Sequence, residues 1–294
     1  MFHSLIELII IMLAFLPLRI LRIVGSCVGI IAMKFSKRAA KRLKTNLVAT
    51  GICDENNVDM MARKTASEFG KTLVETVGVA WHRSKKHCAS LIVDTVNYEG
   101  MEQEVLSGKP IVFLTPHMSS FEIALKFTAY KINQRVFNVL YKPSKNKWFN
   151  HIMLKGRTED NIRPLPTNRL GVFTLAKELK ANGVVGILPD SIASSGDGVW
   201  VDFFGKKVFA PTLAAKMVMM SNVVTFVVAT TRIKHGFRVN YIPFIPCSGD
   251  IGEVVQQIYQ VIEQIVLEAP QQYYWSYDRF RIPKHAHLID NEGK

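Results

Sequence analysis

The sequence contains little cysteine and no paired cysteine motif. Its four cysteines lie far apart along 294 residues, at Cys27, Cys53, Cys88 and Cys247. Because no CxxC pair occurs, the sequence indicates neither a zinc knuckle nor a dithiol redox centre. Free thiols in a reducing compartment are predicted instead, and no metal or cofactor is expected.

Charged residues are also few, at 21% of the chain, and those of negative sign are the scarcer. No internal repeat, low-complexity tract or interdomain linker is evident, and 48% of the residues are hydrophobic, which predicts a folded chain with a continuous core. With 37 basic against 24 acidic residues, the formal charge is +13. This excess predicts an acidic partner, which is a nucleic acid, an anionic lipid or an acidic protein.

The amino-terminal region lacks an uninterrupted apolar run of the length that a spanning helix needs, about 20 residues. Residues 8–18 and 23–33 are apolar, but Arg19 and Arg22 lie between them. A signal peptide is the alternative, and Glu7, the missing A-x-A-like site and the following positive charges argue against it. We therefore expect a retained membrane attachment that is either spanning or interfacial.

Six cations follow this apolar region within eleven residues, namely Lys34, Lys37, Arg38, Lys41, Arg42 and Lys44. Such clusters stay on the cytoplasmic side and are attracted to anionic headgroups at about 1 kcal/mol each. An ordinary solvated helix face is the alternative interpretation. The expected organisation is a membrane anchor with a basic segment over residues 1–45 and a cytoplasmic α/β domain over residues 46–294.

Beyond residue 93, short β-branched runs alternate with helical patterns. Strands are predicted at residues 111–115, 136–141, 184–188, 223–230 and 237–242, and helices at 120–130, 170–181, 212–220 and 254–267. Interleaved strands and helices predict an α/β fold whose central, mostly parallel sheet is flanked by helices.

The stretch KPIVFLTPHMSSFE, residues 109–122, carries the clearest chemical signal. His117 follows a predicted strand and precedes a predicted helix, which is where ligand sites of α/β sheets lie. Glu122 comes five residues later, and a carboxylate there can hold one imidazole nitrogen while the other acts as a base. The alternative is that Ser119 and Glu122 form a helix capping box.

TPHMSSFE resembles the His-x4-Asp/Glu motif of the glycerolipid and lipid A acyltransferase superfamily. More specifically, the chain resembles the late acyltransferases of lipid A biosynthesis, the lauroyl/myristoyl transferase family. The similarity covers nearly the whole length, in blocks that follow in order: KRLKTNL at 41–47, YKP at 141–143, KGR at 155–157, ANGVVGILPD at 181–190, GVWVDFFGKKVFAPTLAAKM at 198–217 and QQYYWSYDRFR at 271–281.

The resemblance implies transfer of a fatty acyl group from acyl carrier protein to the hydroxyl of a 3-hydroxyacyl chain on a lipid A precursor. His117 would be the general base and Glu122 its orienting carboxylate, with no covalent intermediate. Arg157 would stabilise the oxyanion or grip a phosphate, unless it is an ordinary surface arginine. Asp190 would position Arg157 or His117, or else cap the following turn.

Further substrate contacts are expected from Lys155, Phe203, Phe204, Gly205, Thr212, Arg279 and Arg281. Core packing is the alternative for the Phe203–Gly205 triplet, and helix capping for Thr212. Aromatic residues interleaved with arginine also stack on nucleic-acid bases, but no nucleic-acid fold signature accompanies them, and lipid-phosphate or membrane contact is preferred.

The implied partners are acyl carrier protein, the lipid A precursor and anionic inner-membrane lipids, with no nucleic acid and no cofactor. The implied location is the bacterial inner membrane, with the catalytic domain on its cytoplasmic face. A glycerolipid acyltransferase, such as a lysophosphatidic acid acyltransferase, is the alternative enzyme, and a non-catalytic basic membrane-bound or nucleic-acid-binding protein is the alternative without chemistry.

Overall fold

A mixed sheet forms the centre of the molecule. The computed structural model describes residues 2–193, 196–283 and 286 of the chain. Its strands are β1 (Ile92–Val96), β2 (Ile111–Leu114), β3 (Phe137–Tyr141), β4 (Ile162–Pro166), β5 (Val184–Ile187), β8 (Val224–Ile233) and β9 (Gly236–Phe244). A separate hairpin consists of β6 (Gly198–Phe203) and β7 (Lys206–Pro211).

The strand order in the main sheet is β1-β9-β8-β2-β5-β3-β4. Every neighbouring pair is parallel except β8 and β9, which form an antiparallel hairpin. The predicted mostly parallel sheet is therefore confirmed. Because five adjacent strands run in one direction, their carboxyl ends share one edge, where α/β proteins place their ligand sites.

Helices cover both faces of this sheet. They are α1 (Phe2–Ala14), α2 (Leu18–Phe35), α3 (Lys37–Ala49), α4 (Val58–Val74), α5 (Lys85–Ser90), α6 (Tyr98–Leu106), α7 (Phe121–Lys131), α8 (Lys147–Arg157), α9 (Arg169–Lys180), α10 (Leu213–Val218) and α11 (Ile251–Glu268). A π-helical segment, Glu75–Ala80, continues α4, and a 3-10 turn, Pro270–Gln272, follows α11.

Successive side chains of the buried strands pack against helices on opposite faces of the sheet. In β2, Val112 and Leu114 belong to the core shared with α9, α10 and α11, whereas Ile111 and Phe113 belong to the core shared with α6 and α7. Successive side chains of a strand point to opposite faces, so a continuous apolar run fills both layers. The flanking helices predicted from the sequence are thereby confirmed.

The amino-terminal apolar region folds as two helices separated at Pro17, which stands directly before α2. Within the described part of the chain, no helix combines the length and the apolarity required to cross a bilayer. Membrane attachment, spanning or interfacial, stays a prediction. Helix α3 runs through residue 45, where the sequence predicts a domain boundary.

Helix α2 packs on α4 through glycines. The backbones of Gly25 and Gly29 approach that of Gly70 so closely that a methyl group on Gly70 would lie 2.0 Å from the Gly25 carbonyl oxygen. The hydroxyls of Ser26 and Ser67 are hydrogen-bonded at 2.6 Å across the same interface. The opposite side of α2 exposes apolar side chains, including Ile20, Ile23, Val28 and Ile31.

Candidate active site

His117 and Asp190 meet at the carboxyl edge of the sheet. Leu114 at the end of β2 pairs with Ile187 at the end of β5, and each functional residue follows its strand end by three positions. The His117 imidazole donates from Nδ1 to Asp190 Oδ1 at 2.7 Å, and the His117 backbone N–H donates to Asp190 Oδ2 at 3.0 Å. One carboxylate therefore fixes both the ring and the backbone of His117.

Asp190 is fully buried and satisfied by several donors. The Tyr273 hydroxyl donates to Oδ2 at 2.9 Å, and an Arg279 Nη2 lies 3.4 Å from the same oxygen. Burial by itself would raise the pKa of Asp190, but the charges of His117 and Arg279 and the hydrogen bonds from His117 outweigh it and hold that pKa well below its usual range. The carboxylate is thus ionised at any physiological pH.

An ionised Asp190 decides the tautomer of His117. Because the carboxylate only accepts hydrogen bonds, Nδ1 carries the proton and Nε2 of the neutral ring presents a lone pair. Among the described residues, Nε2 has no hydrogen-bond partner, and 32% of the side chain is exposed. The imidazole therefore presents Nε2 to an accessible space, which is the arrangement that a general base requires.

Glu122 pairs with Arg157 rather than with His117, which corrects the contact predicted from the sequence. Glu122 is the second residue of α7, Arg157 is the last residue of α8, and Arg157 Nε donates to Glu122 Oε1 at 2.8 Å. Nη2 of Arg157 bonds the same oxygen. A nearly buried carboxylate requires a partner cation, and Arg157 at the end of α8 provides it.

The capping-box alternative is not found either. Ser120, not Ser119, stands at the start of α7, and its side chain makes no capping hydrogen bond. Ser119 adopts a left-handed backbone with φ 48°, and its buried Oγ has no partner in the described part of the chain. Local strain of this kind persists only where the surrounding structure imposes it.

The segment after α11 imposes that loop conformation. The Ser119 N–H donates to the Gln272 carbonyl at 2.9 Å, and the Tyr274 N–H donates to the His117 carbonyl at 3.1 Å. An isolated antiparallel bridge joins Met118 to Tyr273 between these two bonds. The loop that carries His117 is therefore held along its length by the chain that also supplies the Tyr273 hydroxyl to Asp190.

An apolar cavity opens beside this site, with a volume of about 50 Å³. Its polar lining comes from Thr115, Glu122, Thr128 and Arg157. Phe121 connects the cavity to the base, since its ring lines the cavity and lies edge-on to the His117 ring at 5.6 Å between centroids. Most of the wall is apolar, from Phe113, Leu125, Phe137, Val139, Leu140, Ile187, Leu188 and Val228.

The predicted acyl-chain wall at Phe203, Phe204 and Gly205 lies elsewhere. Phe203 is fully buried, with its ring edge-on to Tyr259 at 5.3 Å, so the core-packing alternative applies. Phe204 and Gly205 form the two-residue turn between β6 and β7, with φ of 51° and 68°. Two successive positive φ values are the signature of a tight hairpin turn, and none of these residues lines the cavity.

Of the remaining predicted contacts, only Arg279 lies at the site. Arg279 is buried beside Asp190, where its guanidinium lies 4.8 Å from the Tyr273 ring, so it acts on the site from within. Thr212 precedes α10 without capping it and donates to the Asp197 carbonyl at 3.3 Å. Lys155 on α8 and Arg281 are exposed, and neither contacts the His117–Asp190 pair.

Two contributors to the site were not named from the sequence. Tyr273 lies within the QQYYWSYDRFR block, but the pattern of this block does not predict the hydrogen bond of its first tyrosine to Asp190. Gln272 acts through its backbone carbonyl, which no side-chain pattern reports. No group of residues suited to hold a metal ion occurs within the described ranges of the chain.

Comparison with known proteins agrees with the resemblance seen in the sequence. The model of the bacterial lipid A biosynthesis acyltransferases matches residues 1–282. The lipid A biosynthesis lauroyltransferase of Escherichia coli (strain K12) is 24% identical over 272 residues, which cover 90% of this chain and 87% of that protein. The palmitoleoyltransferase of the same strain is 22% identical over 288 residues, covering 90% and 86%. A lipid A biosynthesis acyltransferase of Haemophilus influenzae is 22% identical over 278 residues, covering 93% and 85%.

Proposed function

Because the chain belongs to the bacterial lipid A biosynthesis acyltransferase family, we propose that it moves a fatty acyl group from acyl carrier protein to the hydroxyl of a 3-hydroxyacyl chain on a lipid A precursor. The observation that carries the mechanism is the His117–Asp190 pair, in which Nδ1 is bonded at 2.7 Å and Nε2 is free among the described residues. The family match over residues 1–282 favours a lipid A acceptor over a glycerolipid one.

His117 acts as the general base. Nε2 takes the proton of the acceptor hydroxyl as its oxygen attacks the thioester carbonyl, and the resulting imidazolium is stabilised by Asp190. When the tetrahedral intermediate collapses, the carbon–sulfur bond breaks and the proton passes from Nε2 to the leaving thiolate. The cycle needs no cofactor and no covalent acyl-enzyme, and it returns His117 to its starting tautomer.

Arg157 is placed to stabilise the developing oxyanion or to grip a phosphate of the acceptor. Its Nε and Nη2 are held by Glu122, whereas Nη1 makes no hydrogen bond to a described residue. A guanidinium fixed through two nitrogens presents its third donor without reorganisation, which is what transition-state stabilisation requires. Glu122 thus serves the reaction by holding Arg157, and Lys155 and Arg281 remain as cations for the outer parts of an anionic substrate.

The apolar cavity is proposed as the site of the acyl chain. It begins at Phe121 next to His117 and continues between α7 and strands β2, β3 and β5. The exposed apolar sides of α1 and α2 are proposed to lie in the interfacial region of the inner membrane, with the basic residues of α3 against anionic headgroups and the catalytic domain on the cytoplasmic face. Both substrates would then reach one edge of the sheet.

The test is reconstitution of the purified chain with acyl-acyl carrier protein and a lipid A precursor, with products read by mass spectrometry. The parent protein should add one acyl chain, and His117→Ala should lower kcat by about 10²–10⁴-fold. His151→Ala, which changes an exposed histidine of α8, should retain parental activity. Absence of transfer by the parent, or an unchanged lipid A profile in cells that lack the gene, would refute the proposal.

A further inference from the structure

A buried ion network lies directly behind the loop that carries His117. Glu75, fully buried in the π-helical segment, receives Arg232 Nε at 3.1 Å on Oε1 and at 3.0 Å on Oε2. Arg22 of α2 donates to the same carboxylate at 2.9 Å. Burial by itself would raise the pKa of Glu75, but Arg232, Arg22 and the Ser120 hydroxyl outweigh it and lower that pKa, so the carboxylate is ionised.

Ser120 joins this network to the catalytic loop. Its hydroxyl donates to Glu75 Oε2, and it lies 3.1 Å from Arg232 Nη2. Ser120 comes three residues after His117 and directly precedes Phe121, whose ring contacts the imidazole. A displacement of the Ser120 side chain would therefore move the base and the mouth of the cavity together.

Arg232 also holds the other side of the same loop through Gln272. The Arg232 N–H donates to Gln272 Oε1 at 2.7 Å, and Gln272 Nε2 donates back to the Arg232 carbonyl at 3.0 Å. The backbone carbonyl of Gln272 in turn accepts the Ser119 N–H. A single buried arginine thus holds two adjacent loop residues. It contacts the Ser120 side chain directly and the Ser119 backbone through Gln272.

A buried ion pair is a costly way to gain stability alone, because apolar residues of similar volume often serve as well. Its geometric specificity is what a fixed catalytic loop needs, since misplacement by about 1 Å can cost 10²-fold in rate. We propose that Glu75 and Arg232 are positioning residues that hold the His117 loop in its working geometry through the Ser120 hydroxyl. The rate effects rest on the acyl transfer proposed above.

Two hydroxyls bonded to the same guanidinium provide a matched test. Ser120 Oγ and Thr72 Oγ1 lie 3.1 and 3.0 Å from Arg232 Nη2, but only Ser120 is on the catalytic loop. Ser120→Ala should lower kcat by about 10- to 100-fold with KM for both substrates within twofold of the parent. Thr72→Val removes a hydrogen bond from the same guanidinium and should leave kcat within about twofold.

A spectroscopic measurement separates this inference from the proposed reaction. The proton resonance of His117 Nδ1–H reports its hydrogen bond to Asp190, and it should shift or broaden in Ser120→Ala while staying unchanged in Thr72→Val. Unchanged resonance and kcat in Ser120→Ala, or kcat losses in both variants that follow their Tm values, would overturn the positioning role. A parent that binds both substrates without transferring an acyl group would instead refute the proposed function, and the resonance would still decide the role of Ser120.

Discussion

Each functional carboxylate of the site accepts hydrogen bonds or an ion pair from a different set of side chains. Asp190 receives the imidazole and Arg279, whereas Glu122 receives Arg157. Both carboxylates are nearly buried, so each needs compensating charge, and exchanging their partners would leave an unpaired ion. Asp190 therefore fixes the proton of His117 on Nδ1, and Glu122 fixes the position of Arg157.

Asp190→Asn should separate the charge of this residue from its shape. An amide does not stabilise the imidazolium that forms in the transition state, so kcat should fall by about 10²–10⁴-fold with little change in KM. Asp202→Asn, which alters an exposed carboxylate paired with Lys207 at 3.0 Å, is the control and should retain activity and Tm. An Asp190→Asn enzyme with parental kcat would remove Asp190 from the mechanism.

The difference in stability between the parent and Asp190→Asn should depend on pH. The pKa of Asp190 is lowered in the folded protein, so its carboxylate contributes stability above its unfolded pKa of about 4, and that contribution declines as pH falls below this value. The Tm difference between the parent and Asp190→Asn should therefore be constant from about pH 7 to 5 and become smaller below about pH 4. A difference that grows toward acid pH would contradict the assignment.

At this scale the sequence predicts the base, and the family resemblance leaves Asp190 to position either Arg157 or His117. His117 is identifiable because it follows an apolar strand and precedes a helix. Asp190 follows another strand in the same way, yet only the pairing of Leu114 with Ile187 shows that those two strands are neighbours. Glu122 is closer to His117 in sequence, but the arrival of Arg157 from a helix more than thirty residues later decides its contact.

Among the elements, the contact of α2 with α4 depends on the absence of side chains. A Cβ on Gly70 would lie 2.0 Å from the Gly25 oxygen and 2.5 Å from the Gly29 nitrogen, and both are backbone atoms that cannot rotate away. Glu68 and Thr72, which both contact Arg232, flank Gly70 on α4, and Glu75 lies on the π-helical continuation of this helix. The glycine contact therefore fixes the position of α2 relative to the buried network behind the His117 loop.

Gly70→Ala should destabilise the fold although alanine is the better helix former. Overpacking typically costs about 1–3 kcal/mol, whereas the gain in helix propensity is only about 1 kcal/mol. We expect Tm to fall by several degrees in thermal unfolding. Gly252→Ala in α11 is the matched control, because its Cβ would meet only the end of the Asp250 side chain at 3.1 Å, and its Tm should be unchanged or higher. Equal Tm values for both variants would exclude the close-contact explanation.

The predicted elements correspond to real strands and helices wherever periodicity was strong, and the missed elements have physical causes. Strand β4 contains Pro164 and Pro166, residues that argue against a strand unless it lies at a sheet edge, as β4 does. The β6–β7 hairpin is not predicted from the sequence pattern, because its turn is Phe204-Gly205 rather than a typical Asn-Gly pair.

Over the whole molecule, the sequence pattern predicts the strands but not their order in the sheet. Residues far apart in sequence build the site because β2 lies between β8 and β5, and the segment after α11 returns to cover the His117 loop. Composition does predict a basic protein, but it does not say where the charge lies. In the structure, exposed apolar side chains occur on α1 from residue 8 onward and on α2, and exposed cations follow them at the start of α3.

This juxtaposition predicts interfacial binding that combines apolar and ionic contributions. Lys37, Arg38 and Lys41 are exposed on α3 and make no ion pair within the described residues, so each is available to an anionic headgroup at about 1 kcal/mol.

Reversing all three to Glu should weaken binding to vesicles with anionic lipid by at least about 100-fold in a sedimentation assay, and raised salt should weaken the parent in the same direction. Lys206→Glu, at the exposed β6–β7 turn, is the control for a charge reversal away from α3 and should bind as the parent does. Because the reversed residues lie outside the His117–Asp190 site, kcat with detergent-dispersed substrates should be unchanged. Vesicle binding that survives the triple reversal would show that the apolar sides of α1 and α2 suffice without the cations.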